Sequence, residues 1–158
     1  MLIYGGSIKK IGLYNKVMQQ LADYGVEVVE LNGVEPNPGI TAVNKGTQVC
    51  KEEGVEVVLA VGGGSTLDCA KAVAAVANYE GNAWDLVKDA PKVRSVLPII
   101  TVLTLSATGS EMDAYAVISN MEINEKLGTG HEEMKPKVSI LAPEYTYSVS
   151  KYHTATGQ

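Results

Sequence analysis

Residues 57–61, Val-Val-Leu-Ala-Val, are an apolar and mostly β-branched run. It gives way to Gly62-Gly63-Gly64-Ser65 and then to Thr66-Leu67-Asp68-Cys69-Ala70-Lys71 and an alanine-rich stretch. An apolar run of strand length without alternation predicts a strand buried on both faces, the mark of a parallel sheet. The alanines after it predict a closely packed helix beginning at about Ser65. Residues 1–4 are a shorter apolar strand running into Gly5-Gly6-Ser7-Ile8-Lys9-Lys10, and Leu13, Val17 and Leu21 at i, i+4, i+8 mark the buried face of the helix that follows. Residues 26–31 form the next predicted strand, and Glu35-Pro36-Asn37-Pro38-Gly39 a loop whose prolines exclude regular structure. Residues 40–53 form a helix closed by Gly54. The order to this point is βαβαβα.

Beyond the alanine helix, residues 84–87 predict a short helical turn. Residues 97–105 predict another buried strand, ending in Ser106-Ala107-Thr108-Gly109-Ser110-Glu111. Further strands are expected over 114–119, near 126–129 and over 138–141, and a helix begins near Lys151. Strands alternating with helices over short connections predict an α/β fold with a doubly wound, mainly parallel sheet, in which ligands bind beyond the carboxyl ends of the strands. All three glycine- or hydroxyl-rich turns fall at such ends.

The middle turn has chemical meaning. Three glycines let the backbone turn sharply and approach a ligand without interference from a Cβ. A helix starting there adds unpaired N–H groups and the positive end of its dipole, an arrangement suited to phosphate. A plainer reading stands beside it: an ordinary strand-to-helix turn, with Ser65 and Asp68 forming a capping box. The dinucleotide pattern G-x-G-x-x-G is not met, because Leu67 stands where the third glycine belongs.

The 158 residues suffice for about one domain with a real core. A hydrophobic content of 46% with 20% charged residues is globular. A net charge of −5 argues against nucleic acid or an anionic membrane surface as partner. No apolar stretch approaches the ~20 residues that span a bilayer, and no signal-peptide core is present, so the expected location is the cytoplasm. Cys50 and Cys69 stand singly, without metal-ligand spacing, and are expected as core thiols.

Five segments together resemble the iron-containing (group III) alcohol dehydrogenases, in particular their NADPH-dependent butanol dehydrogenase branch. They are Gly-Gly-Ser-Ile-Lys-Lys at 5–10, Glu-Pro-Asn-Pro at 35–38, Gly-Gly-Gly-Ser-Thr-Leu-Asp-Cys-Ala-Lys at 62–71, Thr-Leu-Ser-Ala-Thr-Gly-Ser-Glu at 104–111 and Lys-Pro-Lys-Val-Ser-Ile at 135–140. The resemblance implies a nucleotide-binding α/β domain of the dehydroquinate synthase-like type over 1–150. It also implies a following helical domain, begun at 151–158, that carries iron or zinc and is otherwise missing from this chain. Hydride would pass between NADP(H), ahead of NAD(H), and a small primary alcohol or aldehyde such as butanol or butanal; a homodimer is left open. By the same resemblance Gly63, Gly64 and Ser65 would hold the pyrophosphate and Asp68 would lie near the nicotinamide. Thr104 and Thr108 would line the adenosine and phosphate side, and Asp113, Lys126 and Tyr145 the cofactor cleft. Gly5, Gly6, Ser7 and Lys10 match the turn that accepts a 2′-phosphate, and the chemistry agrees: an acid there would pair with a free ribose diol and repel a phosphate.

The chain departs from the pattern at several points. The first turn is one glycine shorter than Tyr-Gly-Gly-Gly-Ser, Asp113 stands where asparagine is expected, and Ala142 and Ser150 replace a common aspartate and proline. The family's metal ligands, an aspartate about three residues beyond Gly157 and three histidines, lie outside the chain, and His131 and His153 are expected at the surface. The chain therefore reads as part of something longer, inactive by itself. Two alternatives remain: a stand-alone nucleotide-binding module without catalysis, or a relative of glycerol dehydrogenase, which shares a Gly-Gly-Gly-Ser turn.

Overall fold

The computed structural model describes residues 1–156, apart from the side chains of His153 and Thr156. The expectation for His153 and the reference point Gly157 therefore lie outside the described residues. Five parallel strands form one sheet in the order β2-β1-β3-β4-β7: β1 Leu2–Tyr4, β2 Glu30–Asn32, β3 Val58–Gly62, β4 Ile99–Leu103 and β7 Val138–Ile140. The apolar run at 57–61 is the middle strand.

Side-chain alternation along these strands divides the core into two layers. Ile3, Leu31, Val58, Ala60 and Ile99 point to one face, where they meet α3 (Ile40–Glu52), α4 (Gly64–Val76) and α5 (Ala83–Lys88) through Val43, Leu67, Val73 and Trp84. Leu2, Tyr4, Val61 and Val102 point to the other, against Ile8 of the single-turn α1 (Ser7–Lys10) and Leu13 of α2 (Leu13–Asp23). Helices cover both faces, so the sheet is doubly wound.

Several boundaries differ from the sequence expectation, each for a reason of partnership. The strand expected over 26–31 is laddered only at Glu30–Asn32, because its neighbour β1 offers just three residues, with Leu2 opposite Glu30. The strand expected over 97–105 is Ile99–Leu103: the Leu97 N–H bonds to Ala74 O, and the Thr104 N–H bonds to Gly62 O. Ser7–Lys10 form a helical turn of their own, separated from α2 by Gly12 at φ +73°. The expected strands over 114–119 and 126–129 lie outside the main sheet. They are β5 (Tyr115–Asn120) and β6 (Glu125–Gly130), an antiparallel hairpin that packs on α4 and touches the 35–39 loop through a bridge between Gly39 and Ser119. The last element among the described residues is α6 (Lys151–Thr156). Among the described residues no helix is long and apolar enough to cross a membrane.

Candidate functional site

In this strand order the chain turns left from β1 to β2 and right from β3 to β4, so the topological switch lies between β1 and β3, where open α/β sheets bind ligands. Both strands end in glycine turns. A Cβ on Gly5 would stand 3.2 Å from Val34 O, and the absence of one lets the β1 turn nest against the loop after β2. Above the switch is a cleft of about 660 Å³, walled by Ser7, Ile11 and Pro36 on one side and Gly63, Thr104 and Val149 on the other. That size is within the usual range of small-molecule sites.

Gly63 is the N-cap of α4 in extended conformation, and the helix starts at Gly64, one residue before expectation. No side chain caps this end and no acid stands in the first turn. The capping-box reading of Ser65 and Asp68 is thereby overturned. Ser65 Oγ accepts the Asn37 N–H at 3.3 Å, and Asp68 turns under the loop after β4, accepting from Ser110 Oγ at 2.7 Å and the Val117 N–H at 3.0 Å. An uncapped 13-residue helix whose positive end meets bare glycine at the floor of a cleft suits an anion. The residues present therefore fit the pyrophosphate of a dinucleotide.

Gly64 has a further duty that sequence alone does not disclose. A Cβ there would come within 2.6 Å of Thr108 Oγ1, so the loop after β4 rests on the head of the helix. Thr108 itself is exposed. Ser7, Gly63 and Thr104 line the cleft; Gly6 and Lys10 are exposed at its α1 side, with Lys9 diverted over the rings of Tyr4 and Tyr14 at 5.3 and 4.7 Å. Lys126 reaches the same region from the hairpin: its Nζ donates to Asn37 Oδ1 at 2.6 Å and so ties β6 to the loop over the glycine turn. Tyr145 is not brought to this cleft. Its ring lies with Lys16 Nζ 6.0 Å above it, in a separate hollow of about 380 Å³ between α2 and the sheet face at Val102 and Ile140.

Asp113 makes the most consequential contact. Its Oδ1 is 2.7 Å from Nζ of Lys71, a lysine with no exposed surface. The same ammonium donates to Ser110 Oγ at 2.9 Å and Tyr115 O at 2.8 Å, so all three of its protons are used. The sequence quotes Lys71 within a motif without revealing this role; the available signal is a lone lysine in an apolar helix, three residues after Asp68 and on the same face. Burial pushes the Asp68 carboxyl above the usual range, while the bonds from Ser110 and Val117 and the charge of Lys71 pull it back.

His131 is half-buried and accepts the Glu133 N–H at Nδ1, capping a turn. Cys50 and Cys69 are buried free thiols, and burial pushes both upward, Cys69 to about 12. Among the described residues no three His, Cys, Asp or Glu side chains converge, so a metal finds no fitting donor set there.

A doubly wound sheet with a glycine-floored cleft at its switch point defines the class. Residues 1–143 match the family model described as iron-containing alcohol dehydrogenase, and the chain belongs to that family. It is 55% identical over 158 residues to the NADH-dependent butanol dehydrogenase A of Clostridium acetobutylicum, covering 99% of this chain and 41% of that protein. It is 39% identical over 156 residues to the NADPH-dependent aldehyde reductase YqhD of Escherichia coli, covering 97% and 40%. Among solved structures, the NADH-dependent butanol dehydrogenase A of Thermotoga maritima superposes with a TM-score of 0.94 at 47% identity, covering 99% of this chain and 39% of that one. The chain thus spans about two fifths of the length of the relatives it matches.

Proposed function

We propose that this chain is the cofactor-binding part of an oxidoreductase that passes hydride between a nicotinamide dinucleotide and a small primary alcohol or aldehyde such as butanol or butanal. The observation that carries the reading is the uncapped head of α4, with Gly63 lining the switch-point cleft and Gly64 next to it beneath Thr108. When bound, the dinucleotide supplies the hydride donor or acceptor. This chain's residues hold and orient it: Gly63, Gly64 and Ser65 at the pyrophosphate, Thr104 and Thr108 beside it, and Ser7 with Ile11 across the cleft. Residues 1–150 form the cofactor domain and 151–158 open the next one. The metal implied by the family name is held elsewhere, and by this reading residues 1–158 bind cofactor without turning over.

Of the two dinucleotide forms, NADP(H) is proposed as preferred. The β1 turn presents glycines, the Ser7 hydroxyl and an exposed Lys10 and no acid, so a 2′-phosphate meets donors and not a carboxylate. The relatives bear names of both kinds, NADH-dependent at 55% identity and NADPH-dependent at 39%. Calorimetry of NADPH and NADH on residues 1–158 tests both statements, with butanal added in a separate turnover assay. The expected result is tighter binding of NADPH, a gap that narrows with salt, and no oxidation. Binding of neither dinucleotide would end the cofactor reading; equal affinities would end the preference alone.

A further inference from the structure

Desolvating an ammonium is costly, and a buried ion pair adds little to stability over apolar residues of the same volume. Helix α4 is otherwise packed with Leu67, Ala70, Val73 and Ala74, and a methionine would fill the space of the Lys71 stem. The charge therefore asks for another explanation, and its three acceptors supply one. They are Ser110, Asp113 and Tyr115, all on the segment that leaves β4, rests on the glycine turn and enters the hairpin. From Ser110 the chain of contacts continues outward, since its N–H donates to Thr108 Oγ1 at 3.3 Å, and that oxygen is the atom packed on Gly64. Asp113, with 40% of its side chain exposed, is the acid that would otherwise stand unpaired on this loop.

Resting on the cofactor reading above, we propose that Lys71 is a positioning residue of the dinucleotide site. Its ammonium draws the 106–113 loop onto the head of α4 and cancels the charge of Asp113, so the loop that rests on the glycine turn carries no free carboxylate toward the phosphates.

The test combines amide hydrogen exchange with calorimetry of NADPH and NADH on wild type, Lys71→Met, Lys71→Met/Asp113→Asn and Ser110→Ala. Hydrogen bonds to charged groups are strong enough that Lys71→Met is expected to weaken dinucleotide binding about tenfold or more. It should also speed exchange at the Tyr115 and Val117 amides, held by Asp113 and Asp68, while the Leu2 and Leu59 amides of the sheet keep their rates. Adding Asp113→Asn removes the stranded carboxylate and is expected to recover affinity about threefold or more, which a merely space-filling role for Lys71 would not produce. Ser110→Ala, a small change that leaves the ion pair in place, is expected to move exchange and affinity in the same direction and decides the matter if Lys71→Met does not fold. Wild-type exchange and affinity in the lysine variant, or in Ser110→Ala, would overturn the proposal, as would a double variant no better than the single one. If the wild type binds neither dinucleotide, the cofactor reading fails, and the exchange rates alone decide whether Lys71 holds the loop.

Discussion

Thr108 Oγ1 lies 2.6 Å from the point a Cβ on Gly64 would occupy. The bare backbone at the head of α4 thus receives the protein's own loop, and under the proposed function the pyrophosphate beside it. Gly64→Ala is expected to destabilise by about 1–3 kcal/mol through overpacking, before any ligand is present. Adding Thr108→Ala removes the clashing atoms and is expected to restore most of the melting temperature without restoring dinucleotide affinity. If affinity returns with stability, the pyrophosphate does not approach this glycine.

Gly46 sits inside α3, where a glycine is ordinarily unfavourable by about 1 kcal/mol against alanine. Here an added Cβ would meet Leu31 Cδ2 and Val73 Cγ2, both at 2.8 Å, because α3 packs closely on β2 and α4. Gly46→Ala is expected to lower stability by about 1–2 kcal/mol in chemical denaturation, the packing cost outweighing the propensity gain. A stabilised variant would show that the two helices have room to separate.

Asn37 holds φ at +56° in the loop above the glycine turn, accepts from Lys126 and donates its N–H to Ser65. Asn37→Ala loses the side-chain bond and strains the backbone, for an expected loss of about 1–2 kcal/mol. Asn37→Gly loses the bond alone and should retain more of the stability. Equal losses from both would mean that the left-handed conformation costs nothing here.

Two acids are held protonated in the fold. Burial, reinforced by its bond to Glu30, pushes the Tyr4 hydroxyl from 10.0 to about 12, and burial pushes Cys69 from 9.0 to about 12. Between the unfolded and folded values the unfolded chain releases protons that the folded chain keeps. Stability is therefore expected to be intact below about pH 9 and to fall above it, by about 1.4 kcal/mol per pH unit for each group once it ionises when unfolded. Denaturant titrations from pH 8 to 11 measure the slope, and Cys69→Ala should reduce it. A flat profile would show that these groups ionise in place. At pH 8 the native protein should likewise resist thiol alkylation.

Much of the architecture is legible locally. The unbroken apolar run at 57–61, glycines at the carboxyl ends of two strands, prolines at 36 and 38 and the alternation of strand and helix suffice for a doubly wound parallel sheet with β3 at its centre. These follow from covalent geometry and periodicity, which operate over a few residues. The glycine turn at 62–64 could also be located as a phosphate-suited feature, because helix dipole and absent Cβ are local properties.

What only the tertiary structure decides is partnership across the chain. The length of β2 depends on how many residues β1 offers beside it. Whether Ser65 and Asp68 cap the helix depends on Asn37, Ser110 and Val117, which lie 28, 42 and 49 residues away. Tyr145 belongs to the α2 face of the sheet because β7 leads the chain there. Lys71 looks like one more helix residue until Asp113, 42 positions later, arrives at its ammonium. A burial cost and its compensating partner lie on different elements, so the pairing exists only once the hairpin has packed on α4.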